Sequence, residues 1–255
     1  MIANYHAHTF RCCHAYGTEE EYIQAALQRG LQIFGFSDHT PQYFSGNYYS
    51  FMRMYPEELD GYCNTVRELR AKYARQIQIP LGVEAEFYPG TWKEMLPRLQ
   101  DAGVEYMILG QHWLGNEQNE HGSGGATADE ALLKRYCHQV MEGLDTGKFT
   151  YLAHPDLFNF VGDSRIYRYH MRQLCRFARQ ANIPLEINLL GMYCNKHYPN
   201  REFWALAAEE GCSAILGLDA HDPSHIANHA CEEKALEMVR HYGLKLLDTV
   251  SLRSL

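Results

Sequence analysis

The sequence predicts an α/β barrel, and three observations support this fold class. Short apolar runs alternate with amphipathic stretches of helical length along the whole chain. Histidines or carboxylates follow most apolar runs, at what would be the carboxyl ends of parallel strands. The chain has 255 residues, a usual length for such a barrel. Polar groups that follow six or more strands can converge only if the sheet closes, because an open sheet spreads its strand ends too widely.

The first half of the chain alternates between predicted strands and predicted helices. Strands are expected at residues 2–5, 33–36, 79–83 and 106–109, and helices at residues 18–29, 56–76 and 95–102. Thr18 and Glu21 have the spacing of a capping box, and Gly30 is a typical helix stop. The helix over residues 56–76 has one apolar face, formed by Leu59, Tyr62, Cys63, Val66, Leu69 and Tyr73.

The second half continues the same alternation. Helices are expected at residues 128–146, 164–180, 201–210 and 230–242, and strands at residues 151–153, 184–188 and 214–218. Residues 245–248 form either a terminal strand or irregular structure. Residues 114–129 are polar and glycine-rich, which predicts a mobile loop after a strand rather than a domain linker. With no internal repeat and no break in composition, we expect residues 1–255 to form one domain.

The overall charge argues against a nucleic-acid partner. The formal net charge is −8, and no run of five or more basic residues occurs. Bound cations would still make a cleft locally positive. The chain has no apolar stretch of about 18 residues to cross a membrane, and its apolar amino-terminal stretch is too short for a signal peptide. The eight cysteines lack C-x-x-C spacing, which indicates reduced thiols in a cytoplasmic protein. The oligomeric state is left open.

Seven of the 14 histidines lie beside predicted strand ends, namely His6, His8, His14, His39, His112, His154 and His221. His6 and His8 are two residues apart, so in an extended strand both face the same side. Burying so many imidazoles without an ion would leave unpaired polar groups, at about 1–3 kcal/mol each. Imidazole and carboxylate ligands suit Zn, Mn or Fe. His197 is left undecided, and ordinary structural roles are expected for His121, His138, His170, His225, His229 and His241.

A series of motifs resembles the PHP (polymerase and histidinol phosphatase) family, and specifically its histidinol-phosphatase-like branch. The series comprises His-x-His at 6–8, Cys-His at 13–14, Ser-Asp-His at 37–39, Gly-Val-Glu-Ala-Glu-Phe at 82–87, Gln-His at 111–112, Ala-His-Pro-Asp at 153–156, Glu-Ile-Asn at 186–188 and Asp-Ala-His at 219–221. The resemblance spans nearly the whole chain, and these motifs in this order are highly specific. It implies a distorted (β/α)7 TIM-like barrel that holds three divalent metal ions.

The resemblance also implies how nine ligands divide among these ions. The first ion would be bound by His6, His8, Glu84 and Asp219, the second by Glu84, His112 and His154, and the third by His14, His39 and His221. A bridging role suits Glu84 because a carboxylate has two oxygens and an imidazole one free lone pair. Glu86 could compete for that role, but it is expected to support a ligand or to contact the substrate. Asp38 and Asp156 are expected to orient imidazoles.

Such a site predicts hydrolysis of a phosphomonoester. Three divalent ions make a cationic pocket in an acidic protein, and a hydroxide that bridges two ions is a nucleophile at neutral pH. Water would attack phosphorus directly, without a phosphoenzyme, with Glu84, Asp219 and His221 as the catalytic residues. By resemblance, the small phosphorylated substrate is L-histidinol phosphate, which gives L-histidinol and phosphate in histidine biosynthesis.

The substrate contacts are less well defined by the sequence. Members of this branch carry arginines for the substrate phosphate after the Glu-Ile-Asn strand, but Met192 stands where the arginine is expected. The candidates for the phosphate are therefore Lys196, Arg201 and Arg165. Glu186 or Glu86 could receive the substrate amine.

Three other functions are compatible with the sequence. One is a PHP phosphoesterase that acts on another small phosphate or a nucleotide. Another is a metal-dependent exonuclease, against which the acidic balance and the lack of interleaved aromatic and basic residues argue. The third is a binding module that has lost its metals, against which the complete ligand set argues.

Overall fold

Parallel strands and helices alternate along the chain in the computed structural model, which describes residues 1–118 and 121–255. The strands are β1 (Ala3–Asn4), β2 (Ile33–Phe34), β3 (Phe36–His39), β4 (Leu81–Ala85), β5 (Tyr106–Leu109), β6 (Phe149–Leu152), β7 (Leu185–Asn188), β8 (Ser213–Gly217) and β9 (Lys245–Leu246). The helices are α1 (Glu19–Arg29), α2 (Leu59–Tyr73), α3 (Pro89–Asp101), α4 (Glu130–Asp145), α5 (Ser164–Gln180), α6 (Leu189–Tyr193), α7 (Arg201–Glu209), α8 (Pro223–Ile226) and α9 (His229–Tyr242). Short 3-10 turns lie at Phe10–Cys12 and Pro56–Glu58.

The sheet follows the order of the chain. Strands β3 to β9 pair with their sequence neighbours, and every pair is parallel. Strands β1 and β2 form a second parallel pair. Parallel strands joined by helices confirm the predicted α/β fold. The carboxyl ends of the strands therefore lie at one edge, where His39 of β3 is level with Glu84 of β4.

The segment after β1 joins the two ends of this arrangement. The backbone N–H of Ser37 donates to the carbonyl of Ala7 at 2.8 Å, and that of His8 donates to the carbonyl of Ala220 at 2.9 Å. Ala7 and Ala220 form a single parallel bridge. The segment after β1 is thus bonded both to β3 and to the segment after β8. We call this junction the seam, and it consists of isolated contacts rather than a continuous ladder.

Alternate side chains of β5 face two different cores. Met107 and Leu109 pack in the large core between the sheet and the helices. Tyr106 and Ile108 pack in a smaller core with residues of β6 and β8 and with Tyr5. The Tyr106 hydroxyl donates to the Tyr5 carbonyl at 2.9 Å. Strands β1 and β5 are not neighbours in the sheet, so these contacts cross the interior of the barrel.

Most predicted elements are confirmed to within two residues, and three differences matter. Helix α3 begins at Pro89, six residues before the predicted start at residue 95. Strand β4 ends at Ala85, so Glu84 lies inside the strand rather than after it. The short helices α6 and α8 were not predicted. Residues 245–246 are a strand paired with β8.

Two further predictions concern the chain as a whole. That residues 1–255 form one domain stays a prediction. Among the described residues, no helix has the length and apolar character needed to span a membrane. The cysteines are free thiols throughout the described part of the chain, as expected.

Candidate metal centre

All nine side chains predicted to bind metal meet at the carboxyl edge of the sheet. His6 and His8 follow β1, His14 follows the turn Phe10–Cys12, His39 ends β3, Glu84 lies in β4, His112 follows β5, His154 follows β6, and Asp219 and His221 follow β8. Residues far apart in sequence meet here because parallel strands of a barrel all end on the same side.

Glu84 lies between two groups of histidines. Its Oε1 is 2.8 Å from Nε2 of His154 and 3.7 Å from Nε2 of His112. Its Oε2 is 3.0 Å from Nδ1 of His39, and 3.5 Å from Nε2 of both His6 and His8. Each oxygen thus faces a different set of imidazoles, which is the geometry that a bridging carboxylate needs.

Asp219 completes the group around the first two histidines. Its Oδ1 is 3.0 Å from Nε2 of His8 and 3.4 Å from Nε2 of His6. A further group lies nearer the solvent, where the Nε2 atoms of His14 and His221 are 2.9 Å apart. In each group three donor atoms lie within 4.8 Å of one another. The first group is His6, His8 and Asp219, and the outer group is His14, His39 and His221.

The donor atoms of this cluster fit a divalent metal. Several are buried and have no hydrogen-bond partner within the described residues, namely His6 Nε2, His8 Nδ1 and Nε2, His39 Nδ1, Glu84 Oε1 and Oε2, His154 Nδ1 and Asp219 Oδ1. Leaving so many buried polar atoms unpaired is costly, at about 1–3 kcal/mol each. Neutral imidazole and carboxylate are the ligands that Zn, Mn and Fe accept, so coordination removes this cost.

Carboxylates hold two of the imidazoles from behind. Glu186 contacts Nδ1 of His6 at 2.8 Å, which leaves Nε2 of His6 facing the cluster. Glu86 contacts Nδ1 of His112 at 3.3 Å in the same way. A hydrogen bond on one ring nitrogen fixes the tautomer and directs the other nitrogen to a metal.

Backbone carbonyls do the same for the outer pair. Nδ1 of His14 lies 2.7 Å from the carbonyl of Cys12, and Nδ1 of His221 lies 3.0 Å from the carbonyl of Asp219. Both imidazoles therefore present Nε2 to each other and to the space between them. Asn188 supports Asp219 directly, because its amide donates to Oδ2 at 3.0 Å.

The charges in the cluster are strongly coupled. Burial on its own would lower the pKa of His6, but Glu186, Asp219 and Glu84 together raise it well above its usual value. Burial would raise the pKa of Glu84, but His112, His39 and His6 hold it well below the usual range. Burial and the neighbouring His8 lower the pKa of His221 to about 3. The cluster thus contains ionised carboxylates and both charged and neutral imidazoles.

Two glycines make room for the carboxylates of Glu84 and Glu186. A Cβ atom at Gly110 would lie 1.8 Å from Oε1 of Glu84, and one at Gly217 would lie 2.3 Å from the carboxyl carbon of Glu186. No side chain larger than hydrogen fits at either position without moving a carboxylate. Glycine after β5 and at the end of β8 is therefore part of the site.

The basic residues predicted to bind the substrate phosphate are not at this cluster. Arg165 is 90% exposed and pairs with Asp163 at the start of α5. Lys196 and Arg201 line a cavity of about 650 Å³ beside α9, which none of the nine clustered side chains lines. The loop after α6 turns these two side chains outward, which the sequence pattern alone does not reveal.

The acidic residues predicted to receive the substrate amine are committed elsewhere. Glu186 is fully buried against His6 and the amide of Asn188. Glu86 is fully buried between His112 and Arg53. That either residue contacts the substrate stays a prediction, and the alternative for Glu86, support of a ligand, agrees with its position.

The two aspartates expected to orient imidazoles differ. Asp38 accepts a hydrogen bond from Thr9 and lies 3.4 Å from Nδ1 of His8. Asp156 instead accepts from the backbone N–H of Asn200 and, at 3.1 Å, from the indole of Trp204. Asp156 therefore anchors α7 through one carboxylate oxygen, and its predicted role with an imidazole stays a prediction.

Sequence reasoning missed one residue that shapes the site and marked another only by its position. Arg53 is buried beside Glu86 and carried no motif that would mark it. Cys12 lies with His8 and His221 in a group whose donor atoms are within 4.8 Å of one another. Its place in the Cys-Cys-His sequence, two residues before His14, was the available signal.

The glycine-rich segment after β5 folds back on its own start. The backbone N–H groups of Leu114 and Ser123 donate to the carbonyls of His121 and His112, at 2.9 and 2.7 Å. Thr127 pairs with Phe160 in a parallel bridge. Residues 119–120 of this predicted mobile loop lie outside the described residues, and its motion stays a prediction.

Two histidines that were not assigned to the metal have structural contacts. Nε2 of His170 lies 3.0 Å from Glu130, which joins α5 to α4. His197, left undecided, contacts the carbonyl of Leu157 through Nε2 at 2.8 Å.

Comparison with known proteins gives a consistent result. The sequence profile of the PHP domain matches residues 4–189. A probable histidinol-phosphatase of Deinococcus radiodurans is 30% identical over 240 residues, which cover 88% of this chain and 88% of that protein. A probable histidinol-phosphatase of Schizosaccharomyces pombe is 25% identical over 252 residues, which cover 89% of this chain and 82% of that protein.

A solved structure shares the fold. The crystal structure of histidinol phosphate phosphatase from Lactococcus lactis, complexed with zinc, L-histidinol and phosphate, superposes with a TM-score of 0.76. The match covers 98% of this chain and 96% of that one at 18% sequence identity.

Proposed function

This chain belongs to the PHP domain family, and from that membership we propose that it is a metal-dependent histidinol-phosphatase. The reaction is hydrolysis of L-histidinol phosphate to L-histidinol and phosphate. One observation carries the proposal: seven imidazoles and two carboxylates meet around Glu84, with their buried donor atoms facing one another. Once metal is bound, this cluster would carry concentrated positive charge, which stabilises the phosphoryl oxygens of a phosphate ester during hydrolysis.

We assign the ligands to three divalent ions, of which Zn, Mn or Fe would suit the donors. His6, His8, Asp219 and Glu84 would hold the first ion. Glu84 would also hold the second ion, together with His112 and His154. The third would be held by His14, His39 and His221.

When bound, the ions supply an activated water and neutralise charge on the phosphoryl oxygens. The chain's own contribution is positioning. Glu84 lies between the pair His6 and His8 and the pair His112 and His154, and Asp219 contacts both His6 and His8. His14, His112 and His221 are the members that are not buried, so they border the path by which substrate would reach the cluster.

Arginine and lysine contribute little to phosphate binding in this scheme. Arg165, Lys196 and Arg201 lie outside the cluster, and Arg53 is occupied by two carboxylates. The substrate phosphate would therefore be held mainly by the bound ions. The assay should show a steep dependence of KM on metal loading.

The decisive experiment combines metal analysis with phosphate release. We expect purified protein to contain divalent metal and to release phosphate from histidinol phosphate faster than from nucleoside monophosphates or sugar phosphates. His6→Ala and prolonged chelation should each abolish turnover while the far-ultraviolet circular dichroism is unchanged. His138→Ala, on the exposed face of α4, is the matched control and should keep full activity. Full turnover by metal-free protein would refute the proposal, and a preference for another phosphate would refute only the substrate.

A further inference from the structure

Arg53 is a buried cation beside the metal centre with no role in the scheme above. It is 1% exposed and lies in the segment of residues 40–55 that follows β3. We propose that Arg53 is a positioning residue that fixes His112 through Glu86 and ties two loops to it, so that metal binding at His112 orders both loops. The inference rests on the proposed metal binding.

The first link runs from Arg53 to the cluster. Its Nη1 and Nη2 donate to the two oxygens of Glu86 at 2.7 and 2.9 Å, a bidentate pair that fixes the plane of the carboxylate. The same carboxylate contacts Nδ1 of His112 at 3.3 Å. Nε2 of His112 then lies 3.7 Å from Glu84. A fixed Glu86 therefore fixes the direction of the His112 lone pair.

The second link runs from Arg53 to the loops. Its Nε and Nη2 donate to Oε2 of Glu117, in the segment after β5, at 2.8 and 2.6 Å. Nη1 also lies 3.3 Å from the carbonyl of Thr40, directly after β3. The hydroxyl of Tyr48 donates to the other oxygen of Glu117 at 2.9 Å. One guanidinium thus joins the segments that follow three consecutive strands.

The charges explain why metal should matter to this arrangement. Glu86 and Glu117 are both buried, and Arg53 is the single guanidinium that contacts them in the described part of the chain. Two carboxylates thus share one guanidinium. A divalent ion on His112 would add positive charge beside Glu86 and stabilise the whole group.

Hydrogen–deuterium exchange of the peptides that contain residues 40–55 and Glu117, with and without Mn²⁺, tests the link. In wild-type protein, we expect Mn²⁺ to slow exchange in both peptides by roughly tenfold. Arg53→Lys keeps the charge but loses the bidentate geometry. It should abolish this slowing and weaken one Mn²⁺ site by about 10–100-fold in a titration. Arg70→Lys changes a bidentate pair with Glu105 at the other end of β5 and should behave like wild type.

The outcomes separate this inference from the proposed function. If wild-type protein binds Mn²⁺ but Arg53→Lys binds it equally well, with the same protection of both loops, the link is wrong and the metal centre stands. If wild-type protein binds no Mn²⁺, both ideas fail. Should Arg53→Lys not fold, Glu117→Gln provides the test, because it leaves the pair of Arg53 with Glu86 intact. It should lose metal-induced protection of the Glu117 peptide, and unchanged protection would overturn the link.

Discussion

Two of the clustered side chains sit on an unusual backbone. His154 has φ of 73° and Asp219 has φ of 50°, in the left-handed region that favours glycine. Such conformations cost on the order of 1–3 kcal/mol each for other residues and persist where the surroundings enforce them. Each residue lies two positions after the end of a strand. In this conformation the imidazole of His154 contacts Glu84, and the carboxylate of Asp219 contacts His6 and His8.

Replacement of Gly110 should displace Glu84 without touching any ligand directly. In Gly110→Ala the added methyl group would overlap Oε1 of Glu84, so the carboxylate must leave its position between the histidines. We expect metal affinity and kcat to fall by about 10–100-fold, as for the loss of a group that positions a ligand. Metal content and steady-state kinetics measure this effect.

The control for that variant is Gly61→Ala on α2. An added Cβ at Gly61 meets no atom within 4 Å, and alanine favours a helix over glycine by about 1 kcal/mol. Gly61→Ala should keep full activity with equal or higher stability. Wild-type metal content in Gly110→Ala would show that Glu84 does not need its present position.

Metal binding should release protons near neutral pH. Burial on its own lowers the pKa of His6, His8 and His154, but the nearby carboxylates outweigh it and raise each pKa. These imidazoles keep protons above their usual pKa of about 6.5, whereas a ligand must be neutral. Metal affinity should therefore still be rising with pH above that value. Burial lowers the pKa of His39 and His221, which are already neutral and release nothing.

Calorimetric titration with Mn²⁺ in buffers of different ionisation enthalpy counts these protons. We expect net release at about pH 7 and tighter binding at higher pH. Equal heats in all buffers, or an affinity that does not change with pH, would contradict the assigned ligands.

Most of the clustered side chains could be predicted from the sequence because they lie at or just after a recognisable strand. Their supporting residues could not. Arg53 reaches Glu86 and Glu117 across 33 and 64 residues of sequence, and the Glu186–His6 contact spans 180. Such pairings depend on the final path of the loops. The local sequence pattern therefore identifies the side chains of the cluster but not the residues that hold them in position.

At the level of elements, helix α3 shows where the sequence pattern fails. The sequence predicts that this helix begins at residue 95, with Pro97 in the first turn, where proline is tolerated. In the structure the helix begins with Pro89, and Pro97 lies in its interior. Packing of Met95 and Leu99 against the core outweighs the hydrogen bond that Pro97 cannot make. The helix was predicted correctly in kind and wrongly in length.

Pro97→Ala should therefore stabilise the protein. Alanine restores the missing backbone donor and removes the clash of the proline ring, which together cost up to about 3 kcal/mol in a helix interior. Greater freedom of the unfolded chain offsets about 0.4–1 kcal/mol of that gain. We expect the free energy of unfolding in urea to rise by about 1–2 kcal/mol with kcat unchanged. A fall in stability would mean that α3 is bent to fit its neighbours and that proline suits the bend.

At the scale of the whole molecule, the metal centre lies across the seam of the barrel. His6 and His8 follow β1, and Asp219 and His221 follow β8. The backbone joins these two places through isolated contacts around Ala7 and Ala220. Ions held between the two sides would cross-link the beginning and the end of the chain. Bound ions would thus serve both the reaction and the contacts across this seam.

Removal of metal should therefore weaken the seam more than the rest of the fold. A ligand at about a thousand times its Kd stabilises the native state by about 4 kcal/mol, so chelation should lower Tm clearly while the chain stays folded. The amide of His8, which donates across the seam to Ala220, should exchange faster in metal-free protein. Amides of α5 and α7, packed against each other on the outer layer, serve as the internal control and should change little. Uniform loss of protection over all strands would mean that the ions stabilise the barrel as a whole and not its seam.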